Sequence, residues 1–168
     1  MRIPTRKPTK FSHLDTDPLL TREKFDELNN ELNRLKTVTR PKAMAEVSRL
    51  AAMGDFSENA AYQIAKGKLR GINNRIMILE THLNKAEIIT PDHNTATIHI
   101  GHTVTVRDGD IEKTYTILGS SETDPSRGII SHTSPLGAAL IGHKIGDRIT
   151  VPIGKKEKQL VIQNIRIQ

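Results

Sequence analysis

The segment MGDFSENAAY, residues 53–62, sets two carboxylates, Asp55 and Glu58, three residues apart beside Gly54. Two chemistries fit that spacing. An Asp at a helix N-cap with a Glu at the third helical position forms a capping box, and both charges suit a helix N-terminus. Ser57 can cap too, moving the helix start by a residue or two. The other chemistry is metal sharing, because Mg2+ is commonly held by one or two carboxylates with water and phosphate oxygens completing its octahedron. Two oxygens on a convex tip do not make a metal site alone. They can complete one inside a partner that already holds phosphates and a first metal. Cap and ligand roles are compatible, so spacing alone leaves both open.

The elements on either side raise the tip on a stalk. Phe25, Leu28, Leu32 and Leu35 are spaced 3, 4, 3, and Ala65, Leu69, Ile72, Ile76, Leu79, Leu83 and Ala86 are spaced 4, 3, 4, 3, 4, 3. Both are coiled-coil seams, and a short connection folds them into an antiparallel helical hairpin over residues 21–90, with the acidic tip near 54–59. Facing residues in such a pair have a constant index sum. Phe25 with Ala86, Leu28 with Leu83, Leu32 with Leu79 and Leu35 with Ile76 all give 111, which puts the fold point between positions 55 and 56. At 1.5 Å per residue the tip stands roughly 45 Å from the base. Pro41 should kink or loosen the first arm, and Gly67 and Gly71 weaken the second by about 1 kcal/mol each.

After TPDHNTAT the hydrophobic period changes to two. TVTVRDGDIEKTYTIL carries a strand on each side of Asp108-Gly109, RGIIS and RITVPI are further strands, and KQLVIQNIRI alternates to the end. SPLGAALIG reads as a short helix with Ser134 as N-cap and Pro135 in first position. Residues 95–168 are thus expected to form a small antiparallel sheet carrying one helix, giving an α+β chain. Residues 1–20, with Pro4, Pro8 and Pro18 among Arg2, Arg6, Lys7 and Lys10, read as a flexible basic leader.

Composition narrows the classes. With 168 residues, 36% apolar and 3% aromatic, a single large core is not expected, and the net charge of +6 suits an acidic protein or nucleic-acid partner. No cysteine means no disulfide or thiolate metal site, and no run approaches a membrane span, which fits a cytoplasmic protein. There is no phosphate-binding glycine loop. His99 and His102 in IHIGH are too sparse for a zinc site and are expected as surface histidines. Ser131, His132 and Ser134 have no acid or oxyanion hole beside them in sequence, so no independent hydrolase is expected.

LTREKFDELNNELNRLK, then RP, GDFSENAAY, KGKLRGINNRI, SPLGAALIG and GD resemble, in that order, the Gre transcript cleavage factors of bacterial RNA polymerase, over about residues 19–168. Around GDxSENAxY the likeness leans slightly toward GreB over GreA. The resemblance implies an FKBP-like C-terminal domain that docks at the rim of the polymerase secondary channel, and a coiled coil that enters the channel. It implies further that Asp55 and Glu58 help hold a second Mg2+, shared with the polymerase and not bound by this chain alone, with Ser57 as an auxiliary group. The polymerase, not this chain, then cleaves backtracked transcript RNA. No membrane or small-molecule substrate is implied. Ser134, Pro135 and Leu136 are the docking candidates, and Lys66, Lys68, Arg70 and Arg75 form a sparser RNA-facing basic patch than GreB-like sequences carry. Phe56 is expected to meet the channel rather than a core, and the leader is extra to the family pattern. Rival readings are a channel-binding regulator that does not support cleavage, a prolyl isomerase, and a plain coiled-coil scaffold. Filled acidic positions argue against the first and scarce aromatics against the second. The scaffold leaves the acidic apex unexplained.

Overall fold

The computed structural model describes residues 17–53, 60–90, 92–153 and 156–167. A two-residue strand, β1 (Leu19–Leu20), leads into α1 (Arg22–Arg34), a π-helical turn (Leu35–Thr39) and α2 (Arg40–Ala52). The chain returns through α3 (Ala60–Lys85) and reaches β2 (Glu87–Ile88). Thr21 caps α1, its hydroxyl accepting from the Lys24 amide at 3.2 Å. Leu28, Leu32, Leu35, Ile72, Ile76 and Leu79 are buried in one cluster, with Phe25, Leu69, Leu83 and Ala86 packed against it. The expected seams therefore do meet.

Two ion pairs that cross the hairpin report the register at the base. Arg75 reaches Glu31 through two hydrogen bonds at 2.9 and 2.8 Å, and Lys36 reaches Glu80 at 2.6 Å. These pairs flank the seam symmetrically about an index sum of 111, as the heptads require. Beyond Leu35 the register differs from expectation. Ala43 and Leu50 are buried and Thr39 and Val47 half-buried, so the inward positions run 35, 39, 43, 47, 50. Opposite Leu69, Ala65 and Tyr62 they match at a sum of 112: the first arm holds one extra residue. The π-turn absorbs it, with the Arg40 amide donating to the Leu35 carbonyl five residues back. Pro41 follows directly, as the second residue of α2, so its missing N–H falls where the helical ladder is being reset. The kink expected of Pro41 takes this form. Thr39 Oγ1 donates to the Arg34 carbonyl at 3.4 Å within the widened turn.

Leu19 and Leu20, expected as the end of a leader, instead pair in parallel with Glu87 and Ile88. Leu20 is fully buried in the hairpin cluster. A two-residue strand has no periodicity to betray it; burial of one leucine and pairing with the hairpin's exit make it. The remainder of the leader, residues 1–16, lies outside the described residues.

The C-terminal domain is a five-stranded sheet in the order β5-β4-β3-β7-β6 with one helix. Its strands are β3 (His102–Asp108), β4 (Ile111–Leu118), β5 (Ile129–Ser131), β6 (Arg148–Ile153) and β7 (Lys156–Ile167), and the helix is α4 (Pro135–Leu140). β3 and β4 close on a two-residue Gly109-Asp110 turn, where Gly109 takes φ +61°. The pairings β4–β3, β3–β7 and β7–β6 are antiparallel, and short β5 runs parallel to β4, so the sheet is mixed where the sequence pattern predicts an antiparallel one. A bulge where β3 pairs with β7 skips Gln163, which lets Ile162 and Ile165 both face the core although three residues apart. With Ile98, Val104, Val106, Ile117, Leu140, Ile149, Val151 and Leu160 they form the second core.

Candidate functional site

The site anticipated from sequence has its supports among the described residues and its acids outside them. Gly54, Asp55, Phe56, Ser57 and Glu58 lie outside the described residues. By sequence they join the ends of α2 and α3 remote from the sheet domain. α3 has 26 residues, a rod of roughly 39 Å.

The four basic residues expected as one patch divide between faces of α3. At 100° per residue, Lys66 and Arg70 share one face, while Lys68 and Arg75, seven apart, share another. Lys66 Nζ sits 5.9 Å from the centre of the Tyr62 ring. Arg75 is committed to Glu31, and that bidentate pair holds the Glu31 carboxyl below its ordinary range. Lys68 and Arg70 are exposed, and Lys68 lies near enough to Glu46 to help hold that carboxyl below its ordinary range. One member of what the sequence suggests as a nucleic-acid patch, Arg75, is thus engaged in an ion pair across the hairpin.

The docking candidates sit on α4. Ser134 Oγ accepts from the Gly137 amide at 3.1 Å and donates to the Ser131 carbonyl at 2.7 Å, so its hydroxyl is occupied by capping. Pro135 is exposed and Leu136 is half-buried against the core. Pro135 is therefore the member of the trio most available to a partner.

A polar junction between the domains had no sequence signal. Asp17 accepts from the Leu19 amide at 3.1 Å, the Ser120 amide at 2.7 Å and the Ser120 hydroxyl at 2.9 Å. Burial pushes its carboxyl up, but these bonds and nearby His132 outweigh burial and hold it below the usual range. The buried His82 ring bonds the Asp17 carbonyl at 3.1 Å. Glu122 accepts from the Thr21 amide at 2.8 Å and from the Thr21 hydroxyl, placing a carboxylate against the N-terminus of α1. Gly119 completes the junction, since a Cβ there would lie 2.0 Å from the Leu19 carbonyl oxygen.

The remaining candidates resolve into structural roles. Asp17 supplies an acid near the Ser131–Ser134 segment, 3.3 Å from His132 Nδ1, contrary to the expectation that none stood there. The carboxylate bonds Ser120 directly, and among the described residues no serine hydroxyl bonds the His132 imidazole, so they offer no nucleophile–base pair there. His102 is not a surface residue: it is fully buried, with Nε2 on the Asp92 carbonyl at 2.8 Å and Nδ1 accepting from the His99 amide. Among the described residues no three His, Asp or Glu side chains gather as metal ligands, and no helix is long and apolar enough to cross a membrane.

Comparison with known proteins gives two matching family models. One, described as transcription elongation factor, N-terminal, covers residues 18–88; the other, transcription elongation factor GreA/GreB, C-term, covers 93–167. Transcription elongation factor GreA of Macrococcus caseolyticus is 40% identical over 136 residues, 80% of this chain and 86% of that protein. The GreA of Paracoccus denitrificans is 40% identical over 146 residues, 84% of this chain and 94% of its own length. Among solved structures, the transcription factor Gfh1 aligns with a TM-score of 0.42 at 24% identity, over 89% of this chain and 97% of that one.

Proposed function

The chain belongs to the GreA/GreB family of transcription elongation factors, and from that premise we propose that it enters the secondary channel of bacterial RNA polymerase. There it stimulates the polymerase's own Mg2+-dependent cleavage of backtracked transcript RNA. One observation supports this reading above the rest: a helical arm of roughly 39 Å, with a buried apolar seam and ion pairs across it, joins a separate folded domain at its base, and the sequence continues from its other end into the acidic segment. A capping box alone has no use for such a stalk.

In this reading the C-terminal domain docks at the channel rim through the α4 surface around Pro135, and the hairpin reaches the active centre. Asp55 and Glu58 add two carboxylate oxygens to a Mg2+ whose other ligands come from the polymerase, phosphates and water. With Ser57 beside them they orient the attacking water. The chain is thus an activator and not an enzyme by itself. It acts in the cytoplasm on a transcribing complex.

The test is RNA cleavage in a purified backtracked complex with Mg2+, comparing the unaltered protein with its Asp55→Asn/Glu58→Gln variant. Loss of stimulated cleavage by about 100-fold or more, with helicity and polymerase binding retained, is the expected result. Binding without stimulation by the unaltered protein would favour the non-cleaving regulator. No binding at all would leave the capping box as the account of GDFSEN.

A further inference from the structure

The distal half of the hairpin carries an open groove of about 600 Å3 between α2 and α3. Its floor is aliphatic and mostly small, with Ala43, Leu50, Ala61 and Ala65, and Val38 and Ile64 stand at its edges 44% and 72% exposed. Arg34, Lys42 and Lys68 rim it together with one acid, Glu46. Glu46 is already taken, accepting from Arg49 at 2.9 and 2.8 Å. Lys68 also acts electrostatically on Glu46, and Arg34 on Glu31 outside the groove, so the rim is net positive, three cations against one acid, around an apolar floor.

The sequence maintains this feature against regularity. Removing Arg40 would place Thr39, Ala43, Val47 and Leu50 on unbroken heptad positions and make the π-turn unnecessary. That turn supplies Val38 and Thr39 to the groove wall. Single π-turns within α-helices recur at functional positions.

Resting on the function proposed above, we propose that this groove docks an acidic amphipathic helix of the polymerase. From Arg34 to Leu50 the groove runs roughly 24 Å, the length of a helix of about 16 residues. Alanines at positions 43, 61 and 65 allow close approach of a third helix, whose apolar stripe covers Val38 and Ile64 while carboxylates on its flanks meet Arg34, Lys42 and Lys68. Two other occupants fit less well. Single-stranded nucleic acid binds on aromatic stacking platforms, and no lining residue is aromatic. A second copy would bring an equally positive frame.

The experiment uses the full chain with polymerase on a backtracked template. Affinity is measured for Lys42→Glu/Lys68→Glu, for Ile64→Ser, and for Lys113→Glu on the sheet domain as a charge control, with helicity checked throughout. A photocrosslinking amino acid at position 64 reports the contact. The expected result is at least tenfold weaker binding for both groove variants, less than twofold change for the control, and crosslinks to an acidic helical segment of a polymerase subunit. Unchanged affinity in the groove variants overturns the inference, and so do crosslinks that fall on RNA or on a second copy of this chain. If the unaltered protein fails to bind polymerase, the proposed function itself fails and the docking site falls with it, a result distinct from binding that ignores the groove.

Discussion

Gly137 sits inside a capped helix with no room for a side chain: a Cβ would lie 2.1 Å from the Ser131 carbonyl oxygen and 3.1 Å from the His132 Cα. Gly71 is the opposite case, helical and with nothing within 4 Å of a Cβ. Gly137→Ala should therefore destabilise the C-terminal domain by about 2–3 kcal/mol through forced displacement of backbone. Gly71→Ala should stabilise the hairpin by up to about 1 kcal/mol. Urea unfolding of the two variants reads both signs, and equal effects would refute the distinction. Sequence alone makes both glycines look like helix weaknesses, because the obstacle at Gly137 is a carbonyl on another element. Ser134 was readable for the opposite reason: its cap partner is three residues away.

At the scale of the element, the π-turn is the informative departure. Its trace is present in the sequence as three successive steps of four, from Leu35 through Thr39 and Ala43 to Val47, where heptads alternate four and three. The register from the base alone, at 111, is right for Leu28 and Leu32 and one residue short for Ala43 and Leu50. Deleting Arg40 together with Pro41→Ala should give an uninterrupted helix with the same facing pairs. Thermal unfolding should then show a hairpin at least about 1 kcal/mol more stable. A less stable variant would mean that the π-turn is itself a favoured packing solution. Glu31→Gln, by contrast, should cost about 0.5 kcal/mol or less, because the Glu31–Arg75 pair is half-exposed and the leucine seam already fixes register.

Across the whole molecule, the hairpin, the sheet domain and the family were legible because each rests on repetition or on an ordered set of motifs. The junction was not. Asp17 meets Ser120 more than 100 positions away, and Leu19 and Leu20 are a pair without a period. Acid should act there first. The Asp17 carboxyl is depressed in the folded chain, so its contribution is present above the unfolded value of about 3.9 and is lost as pH falls below it through the folded value. The protection of the Leu19 and Ser120 amides against hydrogen exchange, relative to the unfolded chain at the same pH, should fall below about pH 4 before either core opens. The Asp17→Asn variant should show raised exchange already at neutral pH and no such acid step. A titration identical in both would assign the acid response elsewhere.

The bare α-carbon of Gly119 has a consequence far from where it lies. Because the Leu19 carbonyl rests against it, this close approach, together with the bonds from Ser120 to Asp17 and from Thr21 to Glu122, sets the angle at which the arm leaves the sheet domain. The arm works like a long pointer pivoted at its root: one degree of tilt there sweeps the far end by about 0.7 Å over its length. Misplacement by about 1 Å is enough to lose two orders of magnitude in a reaction that depends on orientation. Gly119→Ala should therefore destabilise the junction by about 2–3 kcal/mol through forced displacement of backbone, and under the proposed function the molecules that remain folded should lose about 100-fold in stimulated cleavage. Aim, for this molecule, is decided at the hilt.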